Sequence, residues 1–219
     1  MANAKKSFKT PLAKLEYVQI DGTGKLKYDP ENRLDENDPA SYQYVATAVL
    51  TKEQADKVKA EVLAFWKDNK PTGATKMKYD LVKPELKKVL DAQGNEQEDE
   101  EGGIVKEETG MYLMQAKTIT QWPDGKPNKI KVLRANGNPL DLGDRKIGNG
   151  SMGVIHGTLM INGFKGNEGC NFYLNAIQLK KLEVYTESDD VQADDLGEDE
   201  GMEDVDMDIA DVSKDTPNV

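Results

Sequence analysis

Between Met111 and Tyr185 the chain alternates apolar and polar residues in short segments, and glycine interrupts them at 148, 150, 153, 157, 163, 166 and 169. This pattern limits the fold more than any other feature. Alternation with a period of two marks half-buried strands, and glycines at such spacing suit a small, strongly curved barrel with close turns. Residues 111–122 read as one long strand, turned by Pro123-Asp124-Gly125-Lys126. Lys129-Ile130-Lys131-Val132 reads as another. From Val154 to Asn162, Ile155, Leu159 and Ile161 share one face, and His156, Thr158 and Met160 share the other. The last strand, Phe172 to Tyr185, changes phase between Leu174 and Ile177, which predicts a bulge.

The first half supplies two more strands and the clearest helix. Residues 12–20 and Tyr42 to Leu50 read as strands, separated by an Asp21-Gly22-Thr23-Gly24-Lys25 turn and a polar loop over 28–41. The Gly-x-Gly of that turn lacks the strand-to-helix setting of a phosphate-cradling loop. Thr51 is a candidate N-cap with Gln54 as capping-box partner. Ala55, Val58, Val62, Phe65 and Trp66 then fall on one helical face, until Asn69 and Pro71 stop the helix. Residues 1–10 are polar and basic and read as mobile. Residues 72–110 read as an insertion, with Pro84 opening a short helix through Leu86, Val89 and Leu90 that ends near Gly94. The whole is a mainly β chain whose element order fits a five-stranded OB-fold barrel with one helix between strands.

Charge divides the chain in two. Residues 187–219 hold 14 acidic residues and one lysine (Lys214), a net of −13, whereas residues 1–186 carry 28 basic and 26 acidic residues. Residues 1–186 are therefore read as one domain, and 187–219 as a disordered acidic C-terminal tail too polar to fold alone. A basic body tethered to a polyanion suggests that the natural ligand is also a polyanion, which the tail imitates.

Other chemistry is poorly supplied. One cysteine, Cys170, excludes an intramolecular disulfide, and with one histidine, His156, a thiolate–imidazole zinc site is not expected. Neither has a catalytic partner nearby in sequence. Asp204-x-Asp206-x-Asp208 lacks the glycine and closing glutamate of a calcium loop. The N-terminal lysines precede no hydrophobic stretch, so no secretory signal is expected, and no apolar run of about 18 residues suggests a membrane span. No catalytic residue, metal or cofactor is assigned.

Basic residues beside aromatic ones are well represented. Lys76, Lys78 and Lys83 surround Tyr79; Tyr112 and Trp122 bracket Lys117; Lys126, Lys129, Lys131 and Arg134 follow; Phe164 precedes Lys165. Single-stranded nucleic acid needs this mixture, because its phosphates attract cations and its unpaired bases stack on flat side chains. Trp66 reads as a core anchor. Trp122, ending a strand before a turn, is the best exposed ring.

Three segments carry a resemblance: Leu133-Arg134-Ala135-Asn136-Gly137-Asn138-Pro139, Ile147-Gly148-Asn149-Gly150-Ser151, and Leu174-Asn175-Ala176-Ile177-Gln178-Leu179. Together they resemble the single-stranded DNA-binding proteins of tailed phages. The resemblance implies an OB fold and sequence-independent binding of single-stranded DNA in phage DNA replication, recombination and repair, in the cytoplasm of the infected bacterial host. It also implies an acidic tail that contacts replication proteins such as a polymerase or helicase. Phe164-Lys165 matches an aromatic–lysine pair in the loop after the fourth long strand of that family, and Lys5 and Lys6 match its basic start. The tail departs from the family pattern, with no aromatic residue after Tyr185. An open barrel edge is compatible with a homodimer. A competing reading is an acidic-tailed interaction protein or chaperone-like adaptor that ignores nucleic acid; a weaker one is a Mg²⁺-dependent hydrolase or nuclease.

Overall fold

Eleven strands, one α-helix and a short 3-10 turn (Pro39–Ser41) make up the computed structural model, which describes residues 4–29, 31, 33–77, 80–91, 93–99, 102–162 and 169–185. In chain order the strands are β1 (Lys5–Lys9), β2 (Ala13–Gln19), β3 (Lys25–Leu26), β4 (Tyr42–Leu50), β5 (Val82–Lys88), β6 (Lys106–Ile119), β7 (Lys131–Leu133), β8 (Lys146–Ile147), β9 (Met152–Asn162), β10 (Gly169–Lys181) and β11 (Val184–Tyr185). The helix α1 (Lys52–Asn69) lies between β4 and β5.

Five of these strands close on themselves. The ring runs β2, β4, β6, β10, β9 and back to β2. β6 and β10 run parallel, with Tyr173 beside Lys117, and the other four pairings of the ring are antiparallel. This closed order is the OB-type barrel expected from the sequence. β1 and β7 extend the sheet on either side, while β3 pairs with β4 and β5 with β6. No helix among the described residues is long and apolar enough to cross a membrane.

Glycine makes the tight closure sterically possible. A Cβ at Gly157 would lie 2.2 Å from the Tyr173 carbonyl oxygen and 2.5 Å from Phe172 Cε2. At Gly153 it would lie 2.7 Å from the Gln178 carbonyl oxygen. β9 and β10 can pack this closely only because β9 carries no side chain at these two positions. Between Leu174 and Ala176 the β9–β10 register shifts, at the bulge that the change of phase predicts.

Inside the ring, Leu15, Ala46, Ala48, Leu50, Met114, Ala116, Ile155, Leu159, Leu174, Ile177 and Leu179 form one buried cluster. The helix adds Ala55, Val58, Val62, Phe65 and Trp66, the five residues its periodicity selects. Its capping box is present. Gln54 N–H donates to Thr51 Oγ1 at 3.3 Å, and Gln54 Oε1 accepts from Thr51 N–H at 3.0 Å. Loss of such a cap costs about 1 kcal/mol.

Four expectations are corrected. Lys5–Lys9 is a strand, because Phe8 buries its ring edge-on to Phe172 (centroids 5.4 Å apart) and so draws the basic segment alongside β9. Val82–Lys88 is a strand and not a helix. Pro84 is tolerated there because β5 is an edge strand and its register with β6 shifts between Pro84 and Leu86. The strand expected at 129–132 is only Lys131–Leu133, and the last strand is two, with β11 leaving β10 to pair with β8.

Candidate nucleic-acid interface

Because neighbouring side chains on a strand point to opposite faces, Met114 and Ala116 of β6 enter the barrel while Leu113, Gln115 and Lys117 face outward. Those outward residues floor an open trough of about 750 Å³. Five other strands contribute to it: Tyr17 of β2, Lys25 of β3, Thr47 of β4 beside Gln115, Lys83 and Leu86 of β5, and Asn171 and Tyr173 of β10. Gln115 Nε2 donates to Thr47 Oγ1 at 3.2 Å, which fixes the floor.

Lys25, Lys83 and Lys117 converge here from β3, β5 and β6. Desolvation against the trough wall holds the Lys117 ammonium below the usual lysine range, and the charges of Lys25 and Lys83 push the same way. Among the described residues none of the three forms an ion pair and Asp80 is the one carboxylate in the lining. Converged like charges with so little compensation favour binding of an anion. Two rings accompany them. Tyr173 sits beside Lys117 in register, and Tyr17 stands 58 % exposed at the rim.

Of the sequence-selected residues, the trough unites Lys83 and Lys117. Trp122 and Lys129 lie instead in the segment between β6 and β7, Lys131 opens β7, and Arg134 begins the turn after it. Trp122 is 50 % exposed, at a turn closed by hydrogen bonds between its backbone and that of Lys126 (2.8 Å) and Gly125 (2.9 Å). Lys126 is paired with Asp124 at 2.7 Å, and Arg134 Nε donates to the Pro139 carbonyl. Leu133 to Pro139 is itself a tight turn, with Arg134 N–H donating to the Asn138 carbonyl at 2.8 Å. Tyr112 lies on the opposite face of β6 from Lys117, packed against the core with Lys59 Nζ 4.7 Å from its ring centroid. Lys76 is exposed between α1 and β5, outside the trough lining. Lys78, Tyr79, Phe164 and Lys165 lie outside the described residues.

Sequence reasoning missed Tyr17, Lys25 and Tyr173. Tyr173 had a readable signal, since it falls between Phe172 and Leu174, both buried, and so is an aromatic residue in the outward phase of a strand. Lys25 directly follows the Gly22-Thr23-Gly24 turn.

Two residues with reactive side chains have structural surroundings. Burial pushes the Cys170 thiol up to about 11, which keeps it protonated at neutral pH. Gln178 donates through Nε2 to the Ala135 carbonyl at 2.8 Å, so its Oε1 faces His156 and accepts from His156 Nε2–H at 3.0 Å.

The chain matches no known protein-family model, and no curated protein matches it. Solved structures give matches in overall outline. One is gp2.5, a single-stranded DNA-binding protein encoded by bacteriophage T7, with 16 % identity and a TM-score of 0.48 over 91 % of this chain and 100 % of that one. Another is the single-stranded DNA-binding protein of bacteriophage Enc34 in complex with single-stranded DNA, with 16 % identity and a TM-score of 0.48 over 83 % of this chain and 88 % of that one. A C-terminal truncation of the Enc34 protein matches at 14 % identity and a TM-score of 0.46, over 79 % of this chain and 84 % of that one.

Proposed function

We propose that the trough binds single-stranded DNA without reading its sequence, and that the chain does no chemistry on it. The observation that carries this reading is the convergence of Lys25, Lys83 and Lys117 in one trough with two tyrosine rings and one carboxylate among its described lining residues. Phosphates relieve the mutual repulsion of the three ammonium groups, and bases stack on the rings at roughly 1–3 kcal/mol each.

The acidic segment 187–219 completes the proposal. Its net charge of −13 competes with DNA phosphates for the same lysines. Strand binding then releases it to recruit replication proteins, such as a polymerase or helicase. Since the competition is electrostatic, it weakens as salt rises. The motif resemblance points in the same direction, toward phage DNA replication, recombination and repair.

A filter-binding panel of oligo(dT), the equivalent RNA and a duplex tests the reading. Retention of oligo(dT) in preference to duplex supports it, and no retention of unpaired strands at low salt defeats it. Residues 1–186 alone should bind oligo(dT) more tightly than the full chain at low salt. Unchanged or weaker binding would remove the competition role while leaving the trough assignment intact.

A further inference from the structure

Tyr17 is the one residue other than glycine, among those described, with a positive φ (52°). A bulky aromatic residue rarely adopts this left-handed region, and it persists only where the surroundings over-determine it. Two features hold it there. β2 shifts register against β4 between Glu16 and Gln19, and such a bulge re-aims a side chain. The Tyr17 backbone N–H also donates to Asn149 Oδ1 at 2.8 Å.

Asn149 is itself braced. Leu15 N–H donates to the Ser151 carbonyl at 2.7 Å, and Gly150 N–H donates to the Leu15 carbonyl at 3.0 Å. Ser151, fully buried, donates from Oγ to the Gly148 carbonyl at 2.8 Å and accepts from Glu183 N–H at 3.0 Å. The Gly148-Asn149-Gly150-Ser151 segment therefore locks onto β2 at Leu15, two residues before the strained position.

The strain secures little packing in return. Tyr17 is 58 % exposed, and its hydroxyl has no hydrogen-bond partner among the described residues. What the conformation does achieve is placement, since the ring stands on the rim of the trough that also holds Tyr173 and the three lysines. Strain kept at an exposed aromatic residue beside a charged trough points to a ligand contact.

We infer that Tyr17 is a base-stacking platform and that Asn149 is its positioning residue, an inference that rests on the reading of the trough as a single-strand site. The test is fluorescence anisotropy of labelled oligo(dT) with the full chain at low salt. Tyr17→Ala should weaken binding by roughly 5- to 150-fold, and Tyr17→Phe should leave it unchanged. Tyr17→Gly should bind as weakly as Tyr17→Ala but melt at a higher temperature than it, because glycine accepts the positive φ that alanine does not. Asn149→Ala should weaken binding in the wild-type background and cost nothing further in the Tyr17→Ala background. That non-additivity separates positioning of the ring from a general structural role. Wild-type retention of oligo(dT) with Tyr17→Ala binding equally well overturns the platform, and additive losses overturn the role of Asn149. A wild-type chain that ignores oligo(dT) overturns the parent reading and this inference with it.

Discussion

Two surfaces of the barrel carry lysines near aromatic rings, and they are built differently. Around β7, Trp122, Lys126, Lys129, Lys131 and Arg134 are close in sequence and occupy strand ends and turns, with Lys126 already paired to Asp124 and Arg134 hydrogen-bonded to its own turn. In the trough, Tyr17, Lys25, Lys83, Lys117 and Tyr173 come from five strands spread over most of the described chain, and the lysines face each other without ion pairs among the described residues. The difference separates density along the chain from convergence in space. A run of basic residues on a turn disperses its charge into water and into local partners. In the trough, Lys117 is desolvated beneath two exposed lysines of like charge that come from other strands, and that arrangement favours a polyanion.

Substitutions can break or sharpen this comparison. Beside Tyr17, the largest effect is expected at Tyr173, where replacement by alanine should cost about 1–3 kcal/mol of single-strand affinity with little change in melting temperature. Competitive anisotropy checks it, and a loss of fold stability with unchanged affinity would assign the ring to packing. Lys117→Gln should weaken binding and at the same time raise the melting temperature slightly, because it removes one of three repelling charges; both moving down together would contradict the repulsion.

Proton linkage gives a subtler effect of defined sign. Lys117 is held below the ordinary lysine range in the free chain, and a bound phosphate favours its charged form. Binding should therefore take up protons on the alkaline side, and affinity should fall as pH rises through the lowered Lys117 value. Calorimetry in buffers of different ionisation enthalpy measures the uptake, and Lys117→Gln should abolish it. Smallest of all, Trp122→Ala should change affinity by less than about 0.5 kcal/mol, as for a surface substitution away from the ligand. If it costs as much as Tyr173→Ala, the two surfaces form one site and the distinction fails.

What the sequence disclosed follows the same division. The capping box at Thr51 and Gln54, the buried face of α1, the limits of β4, the alternation of β9 and the bulge after Leu174 are local, and each was readable from a window of a few residues. β1 was not, because its order depends on Phe8 meeting Phe172 far along the chain. Nor was β5, where Pro84 looks like a helix start unless the strand is known to lie at an edge. The trough was half-legible. Lys83 and Lys117 stood out beside aromatic neighbours, but Tyr17 and Lys25 gain their meaning only when the ring closes and brings β2 and β3 to the side of β6.

The most direct measurement is the salt dependence of oligo(dT) binding by the wild-type chain and by the Lys25→Gln/Lys83→Gln/Lys117→Gln variant. Each lost phosphate contact should lower the slope of log K against log salt by roughly 0.7. A trough that binds through all three lysines thus predicts a slope shallower by about 2 in the variant. An unchanged slope, with the variant still folded and still binding, would place the DNA elsewhere on the protein.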